Sequence, residues 1–252
     1  MGKYSGILLC SDFDGTFFTG KDIPQDNIKA VKHFRENGGA FTIVSGRHEE
    51  FLSPAIEGVD ISAPLVLING ALVYDKDKKT VIKEGFMSGL SKALISRVAK
   101  EVPDAVRIGF FLADRVDRIP VEELDYIPDE YVNGCYKVVV HLASDDPSRS
   151  NAAVAAIKEI VGENFVVARS YWAYAEILDP TLTKSKATRF LKDYLSADKL
   201  VCVGDFENDL DMVRDADVGY AVANAIDSVK AVADRITVSV ADAAIARIIE
   251  EL

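Results

Sequence analysis

The chain has 252 residues, 49% hydrophobic and 27% charged, enough for a full globular core with room for one inserted subdomain, and this balance excludes disordered and fibrous classes. Forty acidic against 29 basic residues leave a net charge of −11, which argues against binding the phosphate backbone of nucleic acid. A small anionic substrate would need a metal ion or a few placed cations to overcome that repulsion. The longest apolar runs, such as Pro-Leu-Val-Leu-Ile at 64–68, stop well short of the roughly 18 residues of a membrane helix. The N-terminal apolar stretch is too short for a signal peptide, so no membrane association and a cytoplasmic location are expected.

Residues 7–10 (Ile-Leu-Leu-Cys) form an apolar run that reads as a strand buried on both faces. From Pro24 to Asn37, Ile28, Val31 and Phe34 fall on one helical face, and Gly38 and Gly39 supply the stop. Runs at 41–44 and 65–68 repeat the buried-strand pattern, and strand, helix, strand in this order means parallel pairing. From about 82 to 178 the rhythm changes. A helix carries Leu90, Leu94 and Val98, strands lie at 106–112 and 136–142, Asp146 and Pro147 open a helix with Val154, Ile157 and Val161, and strands follow at 165–168 and 173–178. Strand pairs separated by single helices predict a small α+β unit with a mainly antiparallel sheet. The parallel grammar returns with a helix at 185–195, a strand at 200–203, a helix starting near Asn208 and a short strand at 218–222. A closing helix follows, its stripe formed by Ile245, Ile248, Ile249 and Leu252. The expected architecture is a Rossmann-like α/β doubly wound parallel sheet core, 1–81 and 179–252, interrupted by the α+β unit at 82–178.

Asp12 and Asp14 follow the first buried strand directly, so both carboxylates emerge at the carboxyl edge of the sheet, where open α/β folds bind ligands. Two acids so close repel unless a cation or a shared proton relieves them. Their pKa values separate, which suits one nucleophile and one proton donor. A structural turn would use the same Asp-x-Asp-Gly pattern, and later segments decide between the two. Ser45 follows the strand at 41–44 with a hydroxyl and backbone N–H suited to a phosphate oxygen, or to a helix cap; Gly46 and Arg47 come next. After the strand at 200–203 come Gly204, Asp205, Phe206, Glu207, Asn208 and Asp209, with oxygen donors that suit Mg²⁺. Asp209 also suits an acidic cap on a helix N-terminus.

Asp-Phe-Asp-Gly-Thr, a strand-end Ser-Gly-Arg, a lysine before a helix and Gly-Asp-x-x-Asn-Asp, in this order, resemble the four motifs of the haloacid dehalogenase superfamily, and more narrowly its Cof-like sugar phosphatases. In that subfamily an α/β cap domain lies between the second and third motifs, where the α+β unit sits. The resemblance implies a Mg²⁺-dependent phosphatase acting on a small phosphorylated metabolite, with Asp12 attacking phosphorus and Asp14 protonating the leaving alcohol and then activating water. It implies a metal held by the Asp12 side chain, the Asp14 carbonyl and Asp205, with Asp209 and Asn208 orienting the lysine and the metal shell. Ser45, Gly46, Asn208 and the lysine would contact the phosphoryl group.

Counting from Glu176 along the family pattern places its lysine on Lys184, with Lys186 the fallback; a displaced proline and Ser185 for the usual glycine are departures. Asn69, in an Asn-Gly-Ala loop, faces substrate in the family, although Asn-Gly also makes turns. Arg47 would clamp an anionic substrate group or decorate a helix start. Residues 237–245 are less polar than the family's corresponding loop. Trp172, between the last two strands of the insertion, would stack on a sugar or pack internally. Cys10, Cys135 and Cys202 read as buried free thiols, and His33, His48 and His141 lack the spacing of a zinc site, so no chemistry is assigned to them. A phosphomutase and a non-catalytic sugar-phosphate sensor are the rival readings. No feature of the sequence establishes an oligomeric state, and a monomer is compatible with it.

Overall fold

The computed structural model describes residues 2–124 and 126–252, and they form two compact units, one made of the chain up to Glu84 with Lys184–Leu252, the other of Gly85–Thr183. In the first unit β1 (Ile7–Asp12) is buried on both faces, as its unbroken apolar run requires. It leads to α1 (Gln25–Glu36), β2 (Ala40–Val44), α2 (Glu49–Leu52), β3 (Leu65–Leu67), β4 (Leu72–Asp75) and β5 (Thr80–Glu84). The second unit contains α3 (Lys92–Glu101), β6 (Ala105–Phe111), β7 (Val116–Pro120), α4 (Glu130–Asn133), β8 (Lys137–Leu142), α5 (Pro147–Val161), β9 (Val166–Tyr171) and β10 (Tyr174–Leu178). The chain re-enters the first unit with α6 (Lys184–Tyr194), β11 (Lys199–Gly204), α7 (Leu210–Arg214), β12 (Val218–Ala221), α8 (Asp227–Val232), β13 (Arg235–Ile236) and α9 (Ala244–Glu251).

The first unit's sheet has the order β13-β12-β11-β1-β2-β3-β4-β5. From β13 through β3 the pairing is parallel, and β4 and β5 add an antiparallel edge. The parallel core is the one the sequence indicates, and the antiparallel pair extends it at one edge. Residues 82–84, placed by their rhythm with the insertion, pair with β4, and Ile82 packs on the core cluster of Leu8, Cys10, Leu191 and Met212. Central β1 has β2 on one side and β11 on the other, so the strand order reverses there and opens a crevice at the carboxyl ends. In α1 the buried positions are Asn27, Val31 and Phe34 rather than Ile28. Asn27 is polar because its Oδ1 accepts the Ala246 N–H at 2.9 Å, satisfying a donor in the first turn of α9.

The second unit is a five-stranded antiparallel sheet, order β7-β6-β8-β10-β9, with α3 and α5 packed on its apolar face. Asp146 accepts the Arg149 N–H at 3.0 Å and Pro147 is the first helical residue, so α5 opens as its sequence indicates. Strand β7 escapes sequence reading because Val-Asp-Arg-Ile-Pro is a half-exposed edge with little apolar signal. Among the described residues no helix is long and apolar enough to cross a membrane, and Cys10, Cys135 and Cys202 are free and buried.

Candidate active site

Register explains how residues distant in sequence converge. Asp12 is the last residue of β1 and lies opposite Val44, so Ser45 begins one step beyond it; Ser11 lies opposite Val203, so Asp205 leaves β11 at the same edge. Lys184 is the first residue of α6 and is buried. Its Nζ donates to Asp12 Oδ1 and to Asp209 Oδ1, each at 2.6 Å. The other Asp209 oxygen accepts the backbone N–H groups of Asp205 and Phe206 at 3.1 and 3.2 Å. Asp209 therefore orients the lysine and closes the turn after β11 in one gesture. Lys186 is exposed, two positions along the same helix.

The loop after Asp12 is built for close approach. Gly15 has φ of +85°, and a Cβ there would stand 2.5 Å from Asp205 Oδ2. Thr16 Oγ1 donates to Asp205 Oδ1 at 2.8 Å. Asn224 donates to the Gly15 carbonyl at 2.8 Å and accepts the Val240 N–H at 2.9 Å, tying the loop to the segment at 237–243. Thr16 and Asn224 are site residues that sequence reasoning passes over. Thr16 lies inside the first motif, but its partner is 189 positions away, and nothing around Asn224 marks it.

Asp14 does not join the cluster through its side chain. Its carboxylate is gripped by Arg47 at both oxygens, at 2.8 and 2.6 Å, and the guanidinium lies 5.0 Å from the Phe13 ring centroid and 5.9 Å from that of Phe18. Ser45 is buried, its Oγ accepting the Arg47 N–H at 3.1 Å, and Gly46 lies half-buried between them. Asn69, fully buried with φ of 56°, receives an amide hydrogen bond from Asn208 at 3.3 Å. Trp172 is half-buried in the turn between β9 and β10, with the Arg169 guanidinium 4.5 Å from its ring centroid.

The electrostatics of the cluster are those of a charge deficit. Burial, and then the neighbouring Asp209, raise the Asp12 carboxyl well above its ordinary range despite Lys184. Burial and Asp209 push Asp205 up to about 7, against the pull of Thr16 and Lys184. Burial opposes the charge on Lys184, yet Asp12 and Asp209 overcome it and raise its pKa. Asp12, Asp205 and Asp209 each offer an oxygen within 4.8 Å of the others. Three acids against one lysine leave negative charge that a divalent cation would neutralise, and an all-oxygen donor set fits Mg²⁺.

Comparison with known proteins identifies the family. Residues 9–249 match the family model of haloacid dehalogenase-like hydrolases. The 5-amino-6-(5-phospho-D-ribitylamino)uracil phosphatase of Bacillus subtilis is 22% identical over 97% of this chain and 96% of its own. The pyridoxal phosphate phosphatase of Escherichia coli is 23% identical over 89% and 90%. A HAD/COF-like hydrolase of Plasmodium vivax superposes with a TM-score of 0.79 at 26% identity, covering 99% of this chain and 96% of that one. A subclass IIB sugar phosphatase superposes with a TM-score of 0.78 at 20% identity, covering 97% and 98%. Fold and cluster thus define an α/β protein with a buried acid–lysine cluster at the carboxyl edge of its parallel sheet. The chain belongs to the haloacid dehalogenase-like hydrolases, and it is an enzyme of their phosphatase type.

Proposed function

We propose that the protein hydrolyses a small phosphate monoester, a sugar phosphate being the leading class, through a phosphorylated Asp12, with Mg²⁺ as cofactor. The observation that carries this reading is Lys184 bridging Asp12 and Asp209 beside Asp205 at the switch point of the sheet. Asp12 and Asp205, with the Asp14 carbonyl, would hold the metal, and Asp209 would orient Lys184. The ion would supply charge neutralisation for the transferring phosphoryl group, the largest need of this reaction.

An Asp12 carboxylate oxygen attacks phosphorus, the bond from phosphorus to the alcohol oxygen breaks, and that oxygen takes a proton from Asp14. Water then attacks the phosphorylated Asp12, Asp14 accepts the water's proton, and phosphate departs. Lys184, Ser45 and the Gly46 backbone would bind phosphoryl oxygens, with Asn208 aligned by Asn69. Asp14 is tied to Arg47, so its carboxyl has to exchange Arg47 for the leaving oxygen. An anionic group of the substrate is suited to take Arg47 in return. The inserted unit at 85–183 is read as the family's cap, and the names of the relatives extend to this chain only as the class of phosphorylated metabolite to screen.

The test is a panel of phosphorylated metabolites incubated with Mg²⁺ and scored for free phosphate, with peptide mass mapping after a rapid quench. A phosphoryl group on the peptide carrying Asp12 is expected, and its appearance elsewhere would overturn the assignment. Conversion of a hexose 6-phosphate to a positional isomer would point to a mutase, and tight binding without release of phosphate to a sensor.

A further inference from the structure

The residue beside Lys184 is held as closely as the lysine itself. Ser185, second in α6, is buried, and its Oγ donates to Asp215 Oδ2 at 2.7 Å. Asp215 follows the last residue of α7, and its other oxygen accepts Arg214 Nε at 3.0 Å. An acid gains nothing from α7, whose carbonyl end disfavours negative charge. It suits the first turn of α6, where backbone N–H groups have no acceptor within the helix. Burial opposes the charge on Asp215, yet the Ser185 hydroxyl and Arg214 hold its carboxyl below the ordinary range.

The other end of α7 begins at Leu210, directly after Asp209, the residue that accepts from Lys184 Nζ. One short helix thus carries Asp209 and Asp215 at its two ends, about 9 Å apart along the axis at 1.5 Å per residue. It is anchored to α6 by packing, since Met212 shares an apolar cluster with Ala187 and Leu191. Thr188 Oγ1 donates to the Lys184 carbonyl at 3.0 Å, securing the same turn from within α6. Lys184 therefore meets the α7 arm twice, at its charged tip through Asp209 and beside its backbone through Ser185 and Asp215. Serine at 185, where the family pattern has glycine, makes the second grip. Glycine has no hydroxyl with which to make it.

We propose that Ser185 and Asp215 are positioning residues for Lys184: their bond fixes the first turn of α6 on α7, so that the ammonium is preorganised between Asp12 and Asp209. Both act through the lysine alone. The consequence for turnover rests on the phosphatase reading, whereas the consequence for the lysine itself does not.

The first arm of the test uses the full-length protein without substrate or metal. Reductive methylation with formaldehyde and a borane reductant, read by peptide mass mapping, reports the protection of Lys184, with exposed Lys186 on the same helix as internal reference. Ser185→Ala should raise the rate at Lys184 relative to Lys186 about tenfold, the effect of losing one hydrogen bond to a charged group. Asp215→Asn, which keeps an acceptor and loses the charge, should fall between. Combining Ser185→Ala with Asp215→Ala should add little to either alone, because both remove one contact. In the second arm, on a substrate found by phosphate release and well below the melting temperature, Ser185→Ala should lower kcat about tenfold with KM within about twofold of wild type. Lys184 as protected in Ser185→Ala as in wild type, even with a lowered melting temperature, would overturn the proposal, as would additive effects of the two alanine substitutions or a change in KM alone. Deprotection of Lys184 in a protein that releases no phosphate from any substrate would support the positioning role and count against the phosphatase reading.

Discussion

Lys184 is the residue on which the site turns. It neutralises part of a buried acid cluster, so Lys184→Met should destabilise the metal-free protein by about 3–5 kcal/mol, the usual result of leaving a buried charge without its partner. Urea denaturation near neutral pH measures this, and the loss should shrink in acid, where Asp12 and Asp205 take up protons. If Asp12 is the nucleophile as proposed, Asp12→Asn should lower phosphate release by on the order of 10³-fold or more. Asp14→Asn should cost roughly 10²–10⁴. Steady-state rates on one substrate compare the two, and wild-type turnover by the Asp12 variant would refute covalent catalysis. The aspartates and Ser45 were legible in the sequence because each follows a buried strand. The grip of Arg47 on Asp14 was not, because it joins side chains from different strand ends, 33 positions apart.

At the scale of elements, the turn from β11 toward α7 is held so tightly that glycine is required in it. A Cβ on Gly204 would stand 2.4 Å from the Cβ of Asp209. Gly204→Ala should therefore cost about 1–3 kcal/mol through overpacking. Because Asp209 must shift, the variant should also lose turnover beyond what its melting curve explains. Activity measured well below the melting transition separates the two effects, and full activity would show that the turn yields without moving Asp209. The buried strands announced themselves by unbroken apolar runs. The edges did not: β5 is largely exposed and β7 is half-exposed, and their sequences carry the weak signal of edge strands. Asn27 shows the same limit within a helix, since its burial is justified only by the α9 backbone it satisfies.

For the whole molecule, the charge deficit at the acid cluster should make stability, and the proposed binding of Mg²⁺, depend on pH. Asp205 ionises near 3.8 in an ordinary setting and at about 7 when folded without metal. Between these values the folded protein binds the extra proton, so metal-free stability should fall as pH rises from about 4 to about 7. Mg²⁺ held as proposed would compete with protons for the same oxygens, so its binding should strengthen over that range and its stabilising effect grow. Melting temperatures with and without Mg²⁺ across the range measure both trends, and a Mg²⁺ effect independent of pH would exclude Asp205 as a ligand.

The sequence by itself determined the reaction class and the sheet that carries it, because buried parallel strands and the acids at their ends are written in local runs of residues. Only the tertiary structure decided which lysine enters the cluster and where Asp14 rests. It also decided that Thr16 bonds to Asp205 and that Asn224 bonds to the loop after Asp12. The reason is range: a strand end is a property of neighbours, whereas the contact of Lys184 with Asp12 spans 172 positions and exists only once the sheet register has been set.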